Sequence, residues 1–225
     1  EDRRETILNS IRDQEKLTAE LEKKINEVQT KQELEDLYLP YKPKRRTRAM
    51  IAREKGLEPL AQLVLEEQGD RNQINNWLNA FQAGLSSPLT NDEIWQGVRD
   101  IFAEKVAEDA ETRARIRQLT FQQGTFVSQV KPEFKETTSK FEMYYEFNEN
   151  ISKIQPHRYL AIRRGEKEEI LQARVQVQEG LTESALQEIW LTKANVDFRQ
   201  ELQLALSDAY DRLLAPSIET EIRQE

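Results

Sequence analysis

Several kinds of residue are missing or scarce in this sequence, and each shortage excludes a class of site. Cysteine is absent, which excludes disulfides and thiolate metal sites. His157 is the single histidine, so a catalytic dyad or a histidine-rich metal site would have one imidazole. The sequence contains no glycine-rich phosphate loop and no nucleophile-elbow serine. We therefore predict no catalytic residue, no metal site and no cofactor.

Glycine, proline and long apolar segments are scarce as well. Seven glycines and seven prolines in 225 residues supply few of the turns that an all-β protein needs. No apolar run approaches the roughly 20 residues that span a bilayer, and no signal peptide is recognisable. These features predict a cytoplasmic protein without membrane contact. Since the chain begins at Glu1, we expect it to be an excised piece of a longer protein.

Charged residues are abundant, and acids outnumber bases. They make up 33% of the chain, against 37% hydrophobic residues, and the net charge is -8. This balance argues against nucleic-acid binding over the whole surface but allows a local basic patch. Helix-forming residues dominate the composition, and apolar residues recur at helical spacing.

The local signals predict a mainly α fold of about nine or ten helices. Threonine caps mark helix starts and glycines mark helix ends, namely Thr18, Thr30 and Thr90, and Gly56, Gly69, Gly84 and Gly124. Residues 197–214 form the clearest amphipathic helix, and Phe141, Tyr144 and Tyr145 are spaced as on a helix face. We expect a helix-turn-helix-like N-terminal part over residues 1–69 and a larger helical part over residues 70–225.

One segment has the alternation of a β-strand. Leu171, Ala173, Val175 and Val177 alternate with polar residues. The preceding residues form either a helix from Pro156 that ends near Gly165, or the first strand of a hairpin over residues 159–164. We favour the helix followed by one short β element. Because an isolated strand leaves its backbone groups unpaired, the strand should pair with a short local segment or with a domain outside this chain.

A basic loop is the strongest candidate for a functional site. Lys42, Lys44, Arg45, Arg46 and Arg48 lie within seven residues, after Pro40 and around Pro43. The nearest acids before the loop are Glu35 and Asp36. Such a cluster attracts phosphates, and the flanking Tyr41 could stack on a base. We predict weak nucleic-acid binding through these five cations and Tyr41. The alternative is that the cations pair with the acidic surface of this protein or dock a neighbouring domain.

The acidic run Glu104, Glu108, Asp109 and Glu111 has two interpretations. It could hold a divalent ion, but a solvated helix face or a helix junction is the favoured interpretation. His157 directly follows Pro156, which is typical of a polar residue in the first turn of a helix.

Four blocks resemble the Tex family of bacterial transcription accessory proteins. The most specific is ELEDLYLPYKPKRRTRA, together with the opening Arg4–Ile7. The others are Ala107–Glu111 with Ala114–Arg117, Ile154–Glu168 and Arg212–Glu219. The resemblance implies a role in transcription and nucleic-acid binding by the intact protein. It also implies downstream ribonuclease-H-like, helix-hairpin-helix and OB-type RNA-binding domains, none of which is in this sequence. The family's main binding domain is the OB-type one, so the resemblance implies that most binding lies outside this chain.

These observations favour a non-catalytic helical scaffold module of a Tex-like transcription accessory protein. Its expected partners are nucleic acid, mainly through the domains absent here, and RNA polymerase, and we expect the chain to be a monomer. One alternative is a docking module for RNA polymerase or the ribosome without nucleic-acid binding of its own. Another is part of a nuclease-like enzyme, which would need a carboxylate metal cluster that the sequence does not display.

Overall fold

Helices dominate the computed structural model, which describes residues 2–65, 71–84, 87–191 and 198–224. The helices of these ranges are α1 (Asp2–Asp13), α2 (Ala19–Glu27), α3 (Lys31–Tyr38), α4 (Arg48–Glu54), α5 (Glu58–Leu65), α6 (Arg71–Ala83), α7 (Asn91–Glu108), α8 (Ala110–Gln123), α9 (Pro156–Lys167), α10 (Leu181–Trp190), α11 (Arg199–Asp208) and α12 (Ala215–Ile222). The strands are β1 (Thr125–Val130), β2 (Glu146–Asn150) and β3 (Leu171–Gln176). The mainly α fold class is confirmed. Within the described ranges, no helix is both long enough and apolar enough to cross a membrane.

Threonine caps begin several helices where the sequence predicted them. The hydroxyl oxygen of Thr18 accepts a hydrogen bond from the backbone of Leu21 at the start of α2. Thr30 and Thr90 each form a full capping box, at the starts of α3 and α7. A capping side chain satisfies backbone N–H groups that would otherwise lack an acceptor. These helix starts are therefore set by contacts within four residues of sequence.

The chain forms two compact units, and the first comprises Glu1–Ala114 and Leu186–Leu214. Its N-terminal helices enclose a small core of Ile7, Ile11, Ile25, Leu34 and Tyr38. Elsewhere in the unit, α4 approaches α7 closely at Gly97, where a Cβ atom would lie 3.2 Å from the Cβ of Ala52 and 2.4 Å from a methyl carbon of Leu57, which follows α4. The helix-turn-helix-like arrangement of residues 1–69 and its boundary stay predictions, and Gly69 itself lies outside the described residues.

The predicted helix over residues 197–214 changes its winding partway along. Residue 197 lies outside the described ranges, α11 ends at Asp208, and Ala209–Leu214 form a π-helical turn. Pro216 explains the wider turn, because its ring clashes with the carbonyl four residues earlier in an α-helix. As a consequence Leu214 is fully buried, whereas the helical pattern placed Leu213 on the apolar side.

The second unit comprises Arg115–Ala185 and Ala215–Glu225 and contains a three-stranded antiparallel sheet in the order β2-β1-β3. Phe126 of the central strand is opposite Glu149 on one side and Val175 on the other. Its core is formed by Phe126, Phe141, Tyr144, Ile151, Ile162 and Leu171. The predicted strand is confirmed, and it pairs with β1, a strand of six residues in the same unit. Its partner is therefore a short segment of this chain, although it is separated from β3 by β2 and α9 in the sequence. The sheet has three strands, so the expectation of one short β element is wrong.

Two other expectations for this unit are corrected. Tyr144 belongs to a short 3₁₀ turn, Glu142–Tyr144, that Phe141 directly precedes and that lies before β2, so the predicted helix face is wrong. The hairpin alternative is also wrong, because residues 159–164 lie within α9. That helix continues past Gly165 to Lys167 because Gly165 leaves room for β3: a Cβ there would lie 2.5 Å from a Leu171 methyl carbon.

Candidate nucleic-acid interface

The basic loop runs from the end of α3 to the start of α4, and both of its ends are fixed by hydrogen bonds. After α3 the chain makes one 3₁₀ turn, Leu39–Tyr41, and the Lys42 amide donates to the carbonyls of Tyr38 and Leu39. At the far end Thr47 caps α4 by accepting from the Met50 amide at 3.1 Å. The Gln14 side chain, just after the end of α1, donates to the carbonyl of Tyr41, the residue before Lys42, at 2.8 Å. The loop is thus restrained against α1.

The two acids that precede the loop bind arginines that are distant from them in the sequence. Glu35 accepts two hydrogen bonds from Arg3 of α1, at 2.6 and 2.9 Å, which lower the pKa of Glu35. Asp36 accepts a 2.8 Å bond from Arg113, and the two side chains are 3% and 5% exposed. A buried, hydrogen-bonded ion pair of this kind fixes the relative positions of its helices. The arginines that bind these two acids, Arg3 and Arg113, lie outside the loop.

Lys44 is the loop cation that the fold uses internally. Its ammonium group bonds to Glu108 and lies 4.0 Å from Glu104, both on α7. Arg53 of α4 also bonds to Glu104, at 2.5 Å. Lys44 is 20% exposed. The sequence interpretation of Glu104 and Glu108 as part of a helix junction therefore describes their position in the structure.

The pKa values of the two glutamates of this junction are shifted in opposite directions. Burial raises the pKa of Glu108, with a contribution from the negative charge of Glu104, and the bond from Lys44 does not fully offset it. Burial acts the same way on Glu104, but hydrogen bonds from Arg53 and Thr47 outweigh it and lower the pKa of Glu104. The difference follows from the number of donors that each carboxylate accepts from.

The other loop cations face solvent. Arg46 pairs with Glu54 at 2.5 Å, but the two side chains are 68% and 56% exposed, so water competes with this pair. Lys42, Arg45 and Arg48 are exposed. In the part of the chain that the structure describes, no carboxylate lies within 4.0 Å of these three cations. The loop thus separates into one internally bonded cation, one exposed pair and three available cations.

Two further residues singled out in the sequence, Asp109 and His157, lie at the starts of helices. Asp109 caps α8, with its carboxylate accepting from the Thr112 amide at 2.8 Å and from the Thr112 hydroxyl at 2.6 Å. His157 is exposed in the first turn of α9. Across the described ranges, no three histidine or acidic side chains are grouped closely enough to hold a metal ion.

Residues of α1 border the basic loop, and sequence reasoning did not associate them with it. Asn9, Asp13, Gln14 and Lys16 line an open groove of about 820 Å³ together with Tyr41 and Lys42. They precede Tyr41 by 25 residues or more. Asn9 and Asp13 have the spacing of any exposed helix face, and Gln14 and Lys16 directly follow the end of α1. No local signal could have linked them to it, because the proximity arises from the packing of α1 on α3.

Comparison with known proteins gives consistent matches along the chain. The Tex central region-like family model matches residues 71–224. The chain is similar to Bacillus subtilis YdcI, with 38% identity over 99% of this chain and 31% of that protein. It is similar to a Neisseria gonorrhoeae protein named Transcriptional accessory protein Tex, with 39% identity over 76% of this chain and 22% of that protein. It is also similar to human S1 RNA-binding domain-containing protein 1, with 30% identity over 97% of this chain and 23% of that protein.

These matches cover most of this chain but a minor part of each relative. The chain spans between about a fifth and a third of the length of these relatives, whereas the family model covers the greater part of the chain itself. The match begins at α6 and reaches the last residues of the second unit. The family resemblance inferred from the sequence blocks is thereby confirmed, and this chain belongs to the Tex central region-like family.

Proposed function

We propose that the chain is a non-catalytic helical scaffold module of a Tex-like transcription accessory protein, and that its basic loop makes weak contacts to nucleic-acid phosphates. The Neisseria gonorrhoeae relative is named a transcriptional accessory protein and the human relative an S1 RNA-binding protein, which supports action in transcription. Because the chain spans a minor part of these relatives, most nucleic-acid binding is assigned to other domains. Cytoplasmic location, a monomeric state and contact with RNA polymerase belong to the same proposal.

The observation that carries the proposal is the set of three cations without ion partners among the described residues. Lys42, Arg45 and Arg48 are exposed on a restrained loop of a chain whose net charge is -8. A phosphate that replaces water around these side chains releases condensed counterions. Restraint of the loop reduces the entropy lost on binding. Exposed Arg46 can exchange Glu54 for a phosphate, whereas Lys44 serves mainly to hold the loop.

The acids nearest the loop support a non-catalytic role. Phosphoryl chemistry on nucleic acid by a metal-dependent enzyme needs carboxylates that converge on an ion. Here Glu104 and Glu108 are neutralised by Arg53 and Lys44, and Asp36 is bonded to Arg113. These carboxylates bind cationic side chains of their own protein, which is the pattern of a structural junction.

A salt titration tests the role of the loop. The triple variant Lys42→Ala, Arg45→Ala, Arg48→Ala should bind single- and double-stranded RNA and DNA more weakly than the parent at low salt and about equally at high salt. Each lost phosphate contact should lower the slope of log K against log salt by about 0.7 to 0.9. The free energy of unfolding should change by no more than about 0.5 kcal/mol, because the side chains are exposed.

The matched control removes three exposed cations from the other compact unit. Lys153, Arg164 and Lys167 are exposed, and no carboxylate of the described residues pairs with them. Their triple alanine variant has the same net charge as the loop variant. Equal weakening by both variants would show a general charge effect and would contradict a site at the loop. Parent-like binding by the loop variant at low salt would contradict it as well.

A further inference from the structure

The groove between α1 and the basic loop has the dimensions and lining of a binding site. Its volume of about 820 Å³ lies within the range of about 300 to 1,000 Å³ that ligand pockets occupy. On the α1 side, Asn9, Asp13 and Lys16 are exposed. On the loop side, Tyr41 is half-buried and Lys42 is exposed. The groove is therefore open to a ligand from solvent.

The two sides of the groove offer different chemistry. Lys16 and Lys42 provide ammonium groups without an ion partner among the described residues, and each suits a phosphate. Tyr41 provides a ring and Asn9 provides an amide that can donate and accept hydrogen bonds. The Tyr41 carbonyl accepts a bond from Gln14, and the half-buried Tyr41 side chain packs against the core of the N-terminal helices. Asp13 contributes the one negative charge of the lining.

We propose that this groove binds a single-stranded segment of nucleic acid, with Lys16 and Lys42 on phosphates and Tyr41 against a base. The inference rests on the proposed function, since it assigns a ligand class and a second wall to the same loop. It adds α1 to the site and distinguishes a single strand from a duplex.

The lining favours a single strand because it contains groups that a duplex cannot use. In a duplex the bases are stacked on one another, so a groove of this kind would meet the sugar-phosphate backbone alone. An unpaired base can enter the groove and stack on an aromatic ring, which contributes to binding without dependence on sequence. Each wall of the groove carries one lysine, which can bind a phosphate of the strand that contains such a base.

Two substitutions on the α1 side of the groove, at Asp13 and at Lys16 just after the helix end, have opposite expected effects and test the inference. Lys16→Glu should weaken binding of a short unstructured single-stranded RNA by about tenfold at low salt, because it replaces an attraction with a repulsion. Asp13→Asn should tighten it by about threefold, because it removes the acid of the groove. Fluorescence anisotropy with the whole chain measures both, and a blunt duplex of equal length is measured in parallel. Affinity for the duplex should change less than affinity for the single strand in each variant, because the stacked bases of a duplex cannot enter the groove.

Two controls match these variants in charge. Lys23→Glu changes an exposed lysine of α2 outside the groove, and Glu5→Gln removes an exposed acid of α1 outside the groove. Both should bind the single strand as the parent does, within about twofold. Because Asp13→Asn should increase affinity, a positive result cannot come from unfolding.

The possible results separate this inference from the proposed function. The inference is wrong if Lys16→Glu and Asp13→Asn bind the single strand like their controls while the triple loop variant still binds weakly. If the triple loop variant also binds like the parent, the proposed function fails with it. Equal effects on duplex and single strand would overturn the single-strand assignment. Displacement of the RNA by an acidic peptide at similar concentration would show that the groove binds polypeptide, and would overturn it too.

Discussion

Two segments are rich in cations, the basic loop of the first unit and helix α9 of the second. In each case an acid in or just before the segment binds an arginine that is remote in sequence. Asp36 bonds to Arg113 beside the loop, and Glu166 of α9 accepts two bonds from Arg223, at 2.6 and 2.7 Å. The acids therefore serve as structural anchors, and neighbouring cations are left exposed.

The two segments differ in how the remaining cations are presented. Lys42 and Arg45 lie on a short irregular segment and Arg48 on the first residue of α4, and Lys42 lines a groove. In α9 the exposed Arg164 and Lys167 are three residues apart on a regular helix, and Arg163 is paired with Glu166. The comparison teaches that the density of cations along a sequence is a poor measure of available charge. Available charge depends on which acids the fold brings to each cation.

The largest expected effect is the loss of the buried anchor beside the loop. Arg113→Met should destabilise the first unit by about 3 to 5 kcal/mol, because the buried Asp36 carboxylate loses its guanidinium. Urea unfolding followed by circular dichroism measures the change. The double variant Asp36→Asn, Arg113→Met should recover part of the loss. A double variant less stable than Arg113→Met would contradict the anchor role.

The corresponding anchor of α9 should have a smaller effect. Arg223→Met removes the two bonds to Glu166 and a cation that lies 5.5 Å from the centre of the Phe126 ring. Since both charged side chains are partly exposed, we expect a loss of about 2 to 3 kcal/mol. Faster amide exchange in β3, whose Ala173 amide donates to Glu166, should accompany it. Unchanged exchange along β3 would show that the anchor does not hold the strand.

The junction behind the loop should show a pH-dependent effect of intermediate size. Glu104→Gln should cost about 1.5 to 2 kcal/mol near neutral pH, because it weakens the bond to Arg53. The lowered pKa of Glu104 means that its contribution is complete above the ordinary value of 4.5 and is lost as the pH falls through the lower folded value. The difference in unfolding free energy between parent and variant should therefore shrink below about pH 4.5.

The Glu108→Gln variant should show the opposite pH dependence of the unfolding free energy. Its folded pKa is raised above 4.5, so the parent should lose stability relative to Glu108→Gln as the pH rises from that value through the raised one. Differences that change in the same direction for both variants would contradict the assignment of opposite shifts.

The smallest expected effect is at the exposed pairs of the two segments. Arg46→Ala at the loop and Lys140→Ala, which removes the partner of Glu168, should each change stability by at most about 0.5 kcal/mol. Both pairs are well exposed, and salt should abolish even this difference. A loss above about 1 kcal/mol at Arg46 would show that the loop depends on this pair and would weaken its assignment as a binding element.

Sequence patterns succeeded where the deciding contacts are local. The caps at Thr18, Thr30 and Thr90 bond to amides three residues away. The alternation in β3 marks its buried face without knowledge of its partner. By contrast β2 has the sequence EFNEN, whose asparagines and glutamates are uncommon in strands, so its strand conformation depends on pairing with β1.

The sequence by itself determined the mainly helical fold, the start points of capped helices and the position of the basic loop between two helices. It also determined that the loop carries five cations. Tertiary structure decided which of them are available, because the partners of Lys44 lie about 60 residues away on α7. It also created the groove, because α1 meets the loop only after α1 and α3 pack around their shared core. Long-range electrostatics and packing have no local signature, since the residues involved are brought together by folding.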